Sequence, residues 1–326
     1  MTQLSEAPTT TARQAPIHSG YGAQTTAREV IGNRRLDGMI AVVTGGYAGV
    51  GLETSRALSS AGATVIVPAR TPDKARAALA DIAGVELEHI DLGDPSSIDA
   101  FAARFAASGR PLHILVNNAG IMGTPLVREP RGFESQFATN HLGHFQLTAR
   151  LWPALREARG ARVVSLSSRA HRSSPVDFDD PHFERRPYDK WIAYGQSKTA
   201  NALFAVALDA RGEAYRVRAF SVHPGAVITE LMRYMSDEES RAAVSAARAN
   251  TFFKNTEQGA ATSVWCATSP QLAGLGGVYC EDVDIAEAVP ADSPEQRGVR
   301  PWAMDPSLAE RLWTKSEEWT GVAFAP

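Results

Sequence analysis

Ile40-Ala41-Val42-Val43-Thr44-Gly45-Gly46-Tyr47-Ala48-Gly49-Val50-Gly51-Leu52-Glu53 passes from an apolar run, through a turn with four glycines, into a stretch of mixed polarity. The apolar run is short and β-branched, which suits a strand covered on both faces. The glycine-rich continuation fits a tight turn opening a helix. Glycines there let backbone N–H groups approach a pyrophosphate at the positive helix end, where a Cβ would obstruct contact. A plain strand-to-helix turn would use the same glycines, so the segment needs the rest of the chain to give it meaning.

Outward from this point, apolar runs alternate with amphipathic stretches. The pattern predicts strands at Ile40–Val43, Thr64–Val67, Val85–His89, Ile114–Val116, Arg162–Leu166, Arg218–Val222 and Gly277–Tyr279, with helices opening near Gly49, Pro72, Pro95, Arg131, Tyr188 and Thr256. Several helices open on Pro or Asp, where a missing N–H costs nothing and a carboxylate meets the helix dipole. The expected architecture is a single α/β domain, a Rossmann-type doubly wound parallel sheet of seven strands over residues 23–290. Thr229 to Asn255 falls outside the alternation and reads as an inserted lid (229–255). Residues 1–22, rich in Thr, Ala and Pro, read as a disordered tail, a short helix is expected near Thr26–Ile31, and 291–326 form a C-terminal extension.

Composition narrows the function classes. Hydrophobic residues are 44% and charged residues 21% of 326, enough for a sizeable core, and the net charge of -3 gives no basic face for nucleic acid. No run of about 18 apolar residues suggests membrane insertion. Cys266 and Cys280 are too few for a disulfide framework, so a cytoplasmic protein acting on small molecules is expected. His141 and His144 could face one metal across a helix turn, but no further ligands cluster with them, and no metal is expected.

Tyr194 and Lys198 stand one helical turn apart on the same face. A phenol is a poor base at neutral pH, but a nearby ammonium and an oxidised nicotinamide both favour its phenolate. The hydroxyl can then take a proton from an alcohol or return one to an alkoxide. Ser168 follows the fifth strand, at the sheet end where ligands bind, and its hydroxyl can donate to a substrate oxygen. His171, just beyond, could line the pocket or cap the loop.

Further marks fall in order: Asp91-Leu92 after the third strand, Asn117-Asn118-Ala119-Gly120 after the fourth, Asn140 within TNHLGHF, Ser167-Ser168, Tyr194-Gly195-Gln196-Ser197-Lys198, and His223-Pro224-Gly225. Together with TGxxxGxG at 44–51 they cover nearly all of residues 39–280, and the chain resembles the short-chain dehydrogenase/reductase family. The words NHLGHF and SSRAH are most similar to its retinol dehydrogenase and WW-domain oxidoreductase branch, which has bacterial members. The resemblance implies a cofactor held by Gly45, Tyr47, Ala48, Gly49, Val50 and Gly51 at the pyrophosphate turn. It implies Asp91 and Leu92 at the adenine, and Asn118, Ala119 and Gly120 near the adenosine ribose. Pro224, Gly225, Val227 and Thr229 would lie over the nicotinamide, with Tyr194 and Lys198 touching it. Tyr47 departs from the Asn or Ser usual in relatives. The catalytic set implied is Asn140, Ser168, Tyr194 and Lys198, with Ser168 preferred to Ser167 because the family places the acting hydroxyl second. Asn140 would bend its helix and hold a water leading from Lys198 to solvent. Relatives pair the helices carrying Asn140 and Tyr194, which allows a homodimer or homotetramer, unless the Trp302–Trp319 tail covers that surface.

Charge argues the choice of cofactor. NAD enzymes place a carboxylate at the end of the second strand, whereas this strand ends in Ala69 followed by Arg70, whose guanidinium can pair with a 2′-phosphate. NADP is expected over NAD, although a solvated surface arginine would look the same. The loop Arg169–Trp191 and the lid bring Phe178, Phe183, Tyr188, Trp191, Met232, Tyr234, Met235, Phe252 and Phe253 near the reaction centre, with Arg172, Arg185 and Arg186. They suit a lipophilic substrate or equally a packed lid. Two alternatives remain: an NADP-sensing regulator without turnover, and a nucleotide-sugar epimerase or dehydratase, against which Ala48 counts.

Overall fold

The computed structural model describes residues 14–250 and 253–324. All seven expected strands form: β1 (Ile40–Val43), β2 (Thr64–Ala69), β3 (Val85–His89), β4 (Ile114–Asn117), β5 (Arg162–Leu166), β6 (Arg218–His223) and β9 (Val278–Glu281). They pair in parallel in the order β9-β6-β5-β4-β1-β2-β3, and a two-residue strand, β10 (Asp284–Ile285), adds an antiparallel edge beside β9. The order reverses between β1 and β4, which opens a crevice at the strands' C-terminal ends. Two further short strands, β7 (Ala226–Val227) and β8 (Phe253–Lys254), pair with each other.

Side chains alternate across the sheet, so each strand feeds two cores. Val42, Ile66, Leu115 and Val163 pack under α4 (Pro95–Ala107), α5 (Gly143–Glu157), α6 (Lys190–Gly212) and α9 (Pro306–Thr320). Ala41, Val43, Val65, Val116 and Val164 face the opposite way, toward α1 (Ala27–Ile31), α2 (Gly49–Ser60) and α8 (Thr256–Thr268). Two further helices of the described residues are α3 (Pro72–Ala78) and α7 (Asp237–Asn250).

Two helix starts shift from their expected positions because a carboxylate caps them. Glu134 accepts from the N–H groups of Gln136 and Phe137, so helix begins at Ser135 rather than Arg131. Asp189 Oδ1 accepts from Trp191 (2.8 Å) and Ile192 (3.0 Å), starting α6 at Lys190 rather than Tyr188.

Residues 14–22, which the composition assigns to a tail over 1–22, pack against the sheet edge. Residues 1–13 lie outside the described residues, but Gln14 is buried and its amide donates to the carbonyls of Tyr279 (2.9 Å) and Ala286 (2.6 Å). Ile17 and Ser19 donate their N–H groups to the Asp284 carboxylate. Backbone groups at the sheet edge need partners, and this segment supplies them.

Candidate active site

A cleft of about 880 Å³ runs along the C-terminal ends of β1, β2, β4, β5 and β6. Gly45, Tyr47, Ala48, Gly49, Val50, Gly51, Arg70, Asn118, Ala119, Gly120, Ser168, Tyr194, Lys198, Pro224, Gly225, Val227 and Thr229 line it. Asn140 is buried behind the wall, and Asp91 and Leu92 are absent from the lining. Asp91 Oδ1 accepts from Gly93 N–H (2.9 Å) and so shapes its own turn.

The glycine turn has the form a pyrophosphate needs. α2 starts without a side-chain cap, leaving its first N–H groups to an outside partner. A Cβ on Gly51 would fall 2.4 Å from both Gly45 O and Asn118 Nδ2, so any larger residue would break the bend. Thr44, which opens the TGxxxGxG motif, organises the turn through its side chain. Its Oγ1 accepts from the N–H groups of Asn118 (2.9 Å) and Ala119 (3.0 Å), tying β1 to β4. His144 reaches Thr44 Oγ1 with Nε2 (2.8 Å) and the Asn140 carbonyl with Nδ1 (3.0 Å). Nδ1 therefore carries the proton and Nε2 accepts from the threonine. His141 points elsewhere, to Ser316 Oγ at 2.7 Å. Burial depresses both rings, His141 to about 3 and His144 to about 4.

Asn140 sits within a π-helical segment, Ala138–Leu142, between a short α turn and α5. Its Oδ1 accepts from Ile121 N–H (2.9 Å), and Nδ2 donates to Ile121 O (3.0 Å) and Ser197 Oγ (2.9 Å). A Cβ on Gly120 would lie 3.1 Å from Asn140 Oδ1 and 3.6 Å from Lys198 Nζ, so both groups face the small space that this glycine leaves.

The two serines separate cleanly. Ser167 Oγ donates to Lys198 O (2.7 Å), holding β5 against α6, whereas Ser168 Oγ accepts from Ala170 N–H (3.2 Å) and lines the cleft beside the Tyr194 phenol. Lys198 Nζ donates to Leu166 O (3.0 Å) and lies 5.5 Å from the centre of the Tyr194 ring. Burial pushes the phenol up to about 12, against the neighbouring Ser168 hydroxyl, which favours phenolate, and pushes Lys198 down to about 8. The lysine expected to depress the phenol does not overcome burial in the protein by itself. His171 braces the Ser168 loop rather than lining the cleft. Its Nδ1 meets Ser168 O at 2.7 Å, its Nε2 accepts from Arg300 N–H (3.2 Å), and its carbonyl accepts from Trp302 Nε1 (2.9 Å).

Of the apolar residues expected at the mouth, Trp191, Met232, Met235 and Phe253 line the cleft, joined by Met122 and Leu231. Phe183 is instead buried against Tyr188 and Arg186, Phe178 packs on the core under Arg311, Tyr234 is exposed, and Phe252 lies outside the described residues. Arg172 donates to Ser293 O (3.4 Å), and Arg185 and Arg186 fold back on Asp179 and Asp180. Arg70 is exposed at the far end, beside Lys74, which pairs with Glu230 at 2.5 Å.

A crevice at the strand-order reversal, a glycine cradle and a Ser-Tyr-Lys cluster together define a dinucleotide-dependent oxidoreductase site. The profile of the short chain dehydrogenase family matches residues 39–240. A probable oxidoreductase of Streptomyces lividans is 47% identical over 289 residues, 85% of this chain and 96% of that one. Retinol dehydrogenase 12 of Mus musculus is 38% identical over 298 residues, 90% and 89% of the two chains. An uncharacterised protein of Mycobacterium Paratuberculosis superimposes with a TM-score of 0.72 at 32% identity, over 93% of this chain and all of its own. Pseudomonas aeruginosa RhlG, solved as an active-site complex with NADP, gives 0.62 at 25% identity, over 76% and 96%. The chain belongs to the short-chain dehydrogenase/reductase family of NAD(P)-dependent oxidoreductases.

Proposed function

We propose that this enzyme uses NADP to move a hydride between nicotinamide and an alcohol or carbonyl carbon of a lipophilic small molecule. The observation that carries this reading is that Ser168 and Tyr194 line one wall of the cleft as neighbours, with Lys198 one turn further along α6. Both hydroxyls can address one substrate oxygen.

When bound, the dinucleotide supplies or accepts the hydride. In reduction, Tyr194 gives the proton on Oη to the substrate oxygen as charge develops there, and Ser168 donates a hydrogen bond that steadies it. Burial keeps the phenol protonated at neutral pH, which suits it to act as the acid. In oxidation the phenol must first release its proton, and the Lys198 ammonium favours that step. The gap beside Gly120 suits a water joining Asn140 and Lys198, through which the proton would pass.

The uncapped start of α2 would hold the pyrophosphate with the backbone from Gly45 to Gly51, and Asp91, Leu92, Asn118, Ala119 and Gly120 would hold the adenosine. Pro224, Gly225, Val227 and Thr229 would cover the nicotinamide. Arg70 supports the choice of NADP, since Ala69 offers no carboxylate to repel a 2′-phosphate. Met122, Trp191, Leu231, Met232 and Met235 support an apolar substrate, and the retinol dehydrogenases among the relatives fit that class. The segment between β7 and β8 would be the lid.

The test is the loss of NADPH absorbance with a panel of hydrophobic aldehydes and ketones. Turnover with NADPH preferred over NADH is expected, and Arg70→Ala should cut that preference by about tenfold or more by weakening NADPH alone. Equal loss with both cofactors would defeat the assignment of Arg70. Tight NADPH binding with no turnover on any carbonyl would make the chain a nucleotide sensor.

A further inference from the structure

The loop assigned to the nicotinamide is held from beneath by groups that the chemistry does not use. Gly225 has φ +94°, and a Cβ there would come within 2.6 Å of Lys254 Cδ and 2.8 Å of Lys254 Cε, so the lysine stem lies flat against it. Strand β8, which carries Lys254, pairs with β7 through Ala226↔Phe253 and Val227↔Lys254. The segment that leaves the cleft at Val227 is thus fastened on its return. The Lys254 side chain is only 3% exposed, and a buried ammonium requires an opposite charge. Asp282 Oδ1 provides it at 2.7 Å, an ion pair rather than an aligned hydrogen bond. Glu281 is near as well, but its Oε1 accepts from Gly298 N–H at 2.7 Å.

Asp282 reaches Lys254 by way of a costly turn. Asp282 and Val283 join β9 to β10, and both are left-handed, with φ +50° and +64°. Aspartate adopts this region readily, whereas a β-branched valine rarely does. Val283 is held there by full burial, by its N–H donating to Thr262 Oγ1 (3.1 Å), and by its carbonyl accepting from Ser19 Oγ (2.5 Å). Strain kept in place by surrounding contacts points to a use. What this turn delivers is a carboxylate under the lysine that supports Gly225.

We propose that Asp282 and Lys254 are positioning residues that press the Pro224–Val227 loop onto the nicotinamide half of the dinucleotide, an inference that rests on that loop covering the nicotinamide. Without Asp282 the charged lysine is drawn toward water, its stem leaves Gly225, and the loop loosens. The adenosine half, assigned to Arg70, Asp91, Leu92, Asn118, Ala119 and Gly120, is untouched.

The experiment titrates the intact protein with NADPH and with adenosine 2′,5′-bisphosphate, which carries the adenosine half alone. Asp282→Asn, a residue equally at home in the left-handed turn, should weaken NADPH about tenfold and leave the bisphosphate unchanged. Adding Lys254→Met keeps an apolar stem over Gly225 without a charge and should restore NADPH to within about threefold of wild type. A merely structural role would lower the melting temperature and leave the ratio of the two affinities alone. Equal weakening of both ligands, or none, overturns the proposal. Wild-type protein that binds NADPH no more tightly than the bisphosphate overturns the nicotinamide-loop reading itself, and the inference with it.

Discussion

Tyr194→Phe removes one oxygen and keeps the ring that packs in the cleft wall, so NADPH should bind nearly as before while turnover falls about 10²- to 10⁴-fold. A cofactor titration beside a steady-state assay checks this, and retained turnover would take the phenol out of the chemistry. Ser168→Ala should cost about 10²- to 10³-fold in kcat through loss of the hydroxyl that lines the cleft beside the phenol. Ser167→Ala should instead lower stability by about 0.5–1.5 kcal/mol, because the bond that ties β5 to the Lys198 carbonyl of α6 is lost. With the phenol pushed up to about 12, the reductive rate should hold level from about pH 6 to pH 9. Alcohol oxidation should climb with pH and flatten above about 8, where Lys198 loses the charge that favours phenolate; a reductive rate falling through pH 7 would contradict this. The spacing of Tyr194 and Lys198 made their pairing legible, because four residues return a helix to the same face. Nothing in the sequence itself separates Ser167 from Ser168, since both end the same strand, and only their opposite partners distinguish them. The pairing of Thr44 with His144 gave no signal, because a hydroxyl and an imidazole that meet across the fold share no period.

At the level of the elements, the strands were legible because burial on both faces leaves continuous apolar runs. The two-residue strands β7, β8 and β10 are too short for any period, and their pairing follows from contacts distant in the chain. The π segment is legible in the sequence only as a bend at Asn140. Its position matters because it aligns the start of α5 with α6, and α6 in turn depends on a glycine. A Cβ on Gly195 would lie 2.2 Å from Ser173 Oγ and 2.7 Å from Ala170 O, so α6 packs directly on the turn after Ser168. Gly195→Ala should push these elements apart, costing about 1–3 kcal/mol and lowering kcat more than it raises the cofactor KM. Thermal melts and kinetics on the same preparation check both, and an unchanged melting temperature would mean that the contact yields easily.

Over the whole molecule, burial and chain closure set the conditions for activity. His141 at about 3 and His144, His171 and His182 at about 4 all titrate well below the free ring's 6.5. Between pH 6.5 and 4 the unfolded chain therefore binds protons that the folded one refuses. Stability should fall on acidification by about 1.4 kcal/mol per pH unit for each ring, and a melting temperature flat from pH 7 to pH 5 would contradict it. The same architecture bears on assembly. Helix α9 lies on α6, where Trp313 stacks on Phe204 (6.0 Å between centroids, 9° between planes) and meets Phe145 of α5 at 5.2 Å. Trp319 reaches Phe137 at 5.7 Å, and Phe324 reaches Trp152 at 5.7 Å. Helices α5 and α6 carry or adjoin Asn140, Tyr194 and Lys198, and theirs is the face through which the family resemblance implies pairing. A subunit interface needs about 800 Å² of free surface on each partner, and here the chain spends that apolar face on its own C-terminal helix. The protein should accordingly sediment as a monomer. Deleting residues 305–326 should uncover Phe145 and Phe204, strip His141 of its Ser316 partner, and yield self-association together with reduced turnover. A full-length dimer cross-linked through α5 and α6 would show that α9 leaves that face, and the self-cover argument would fail.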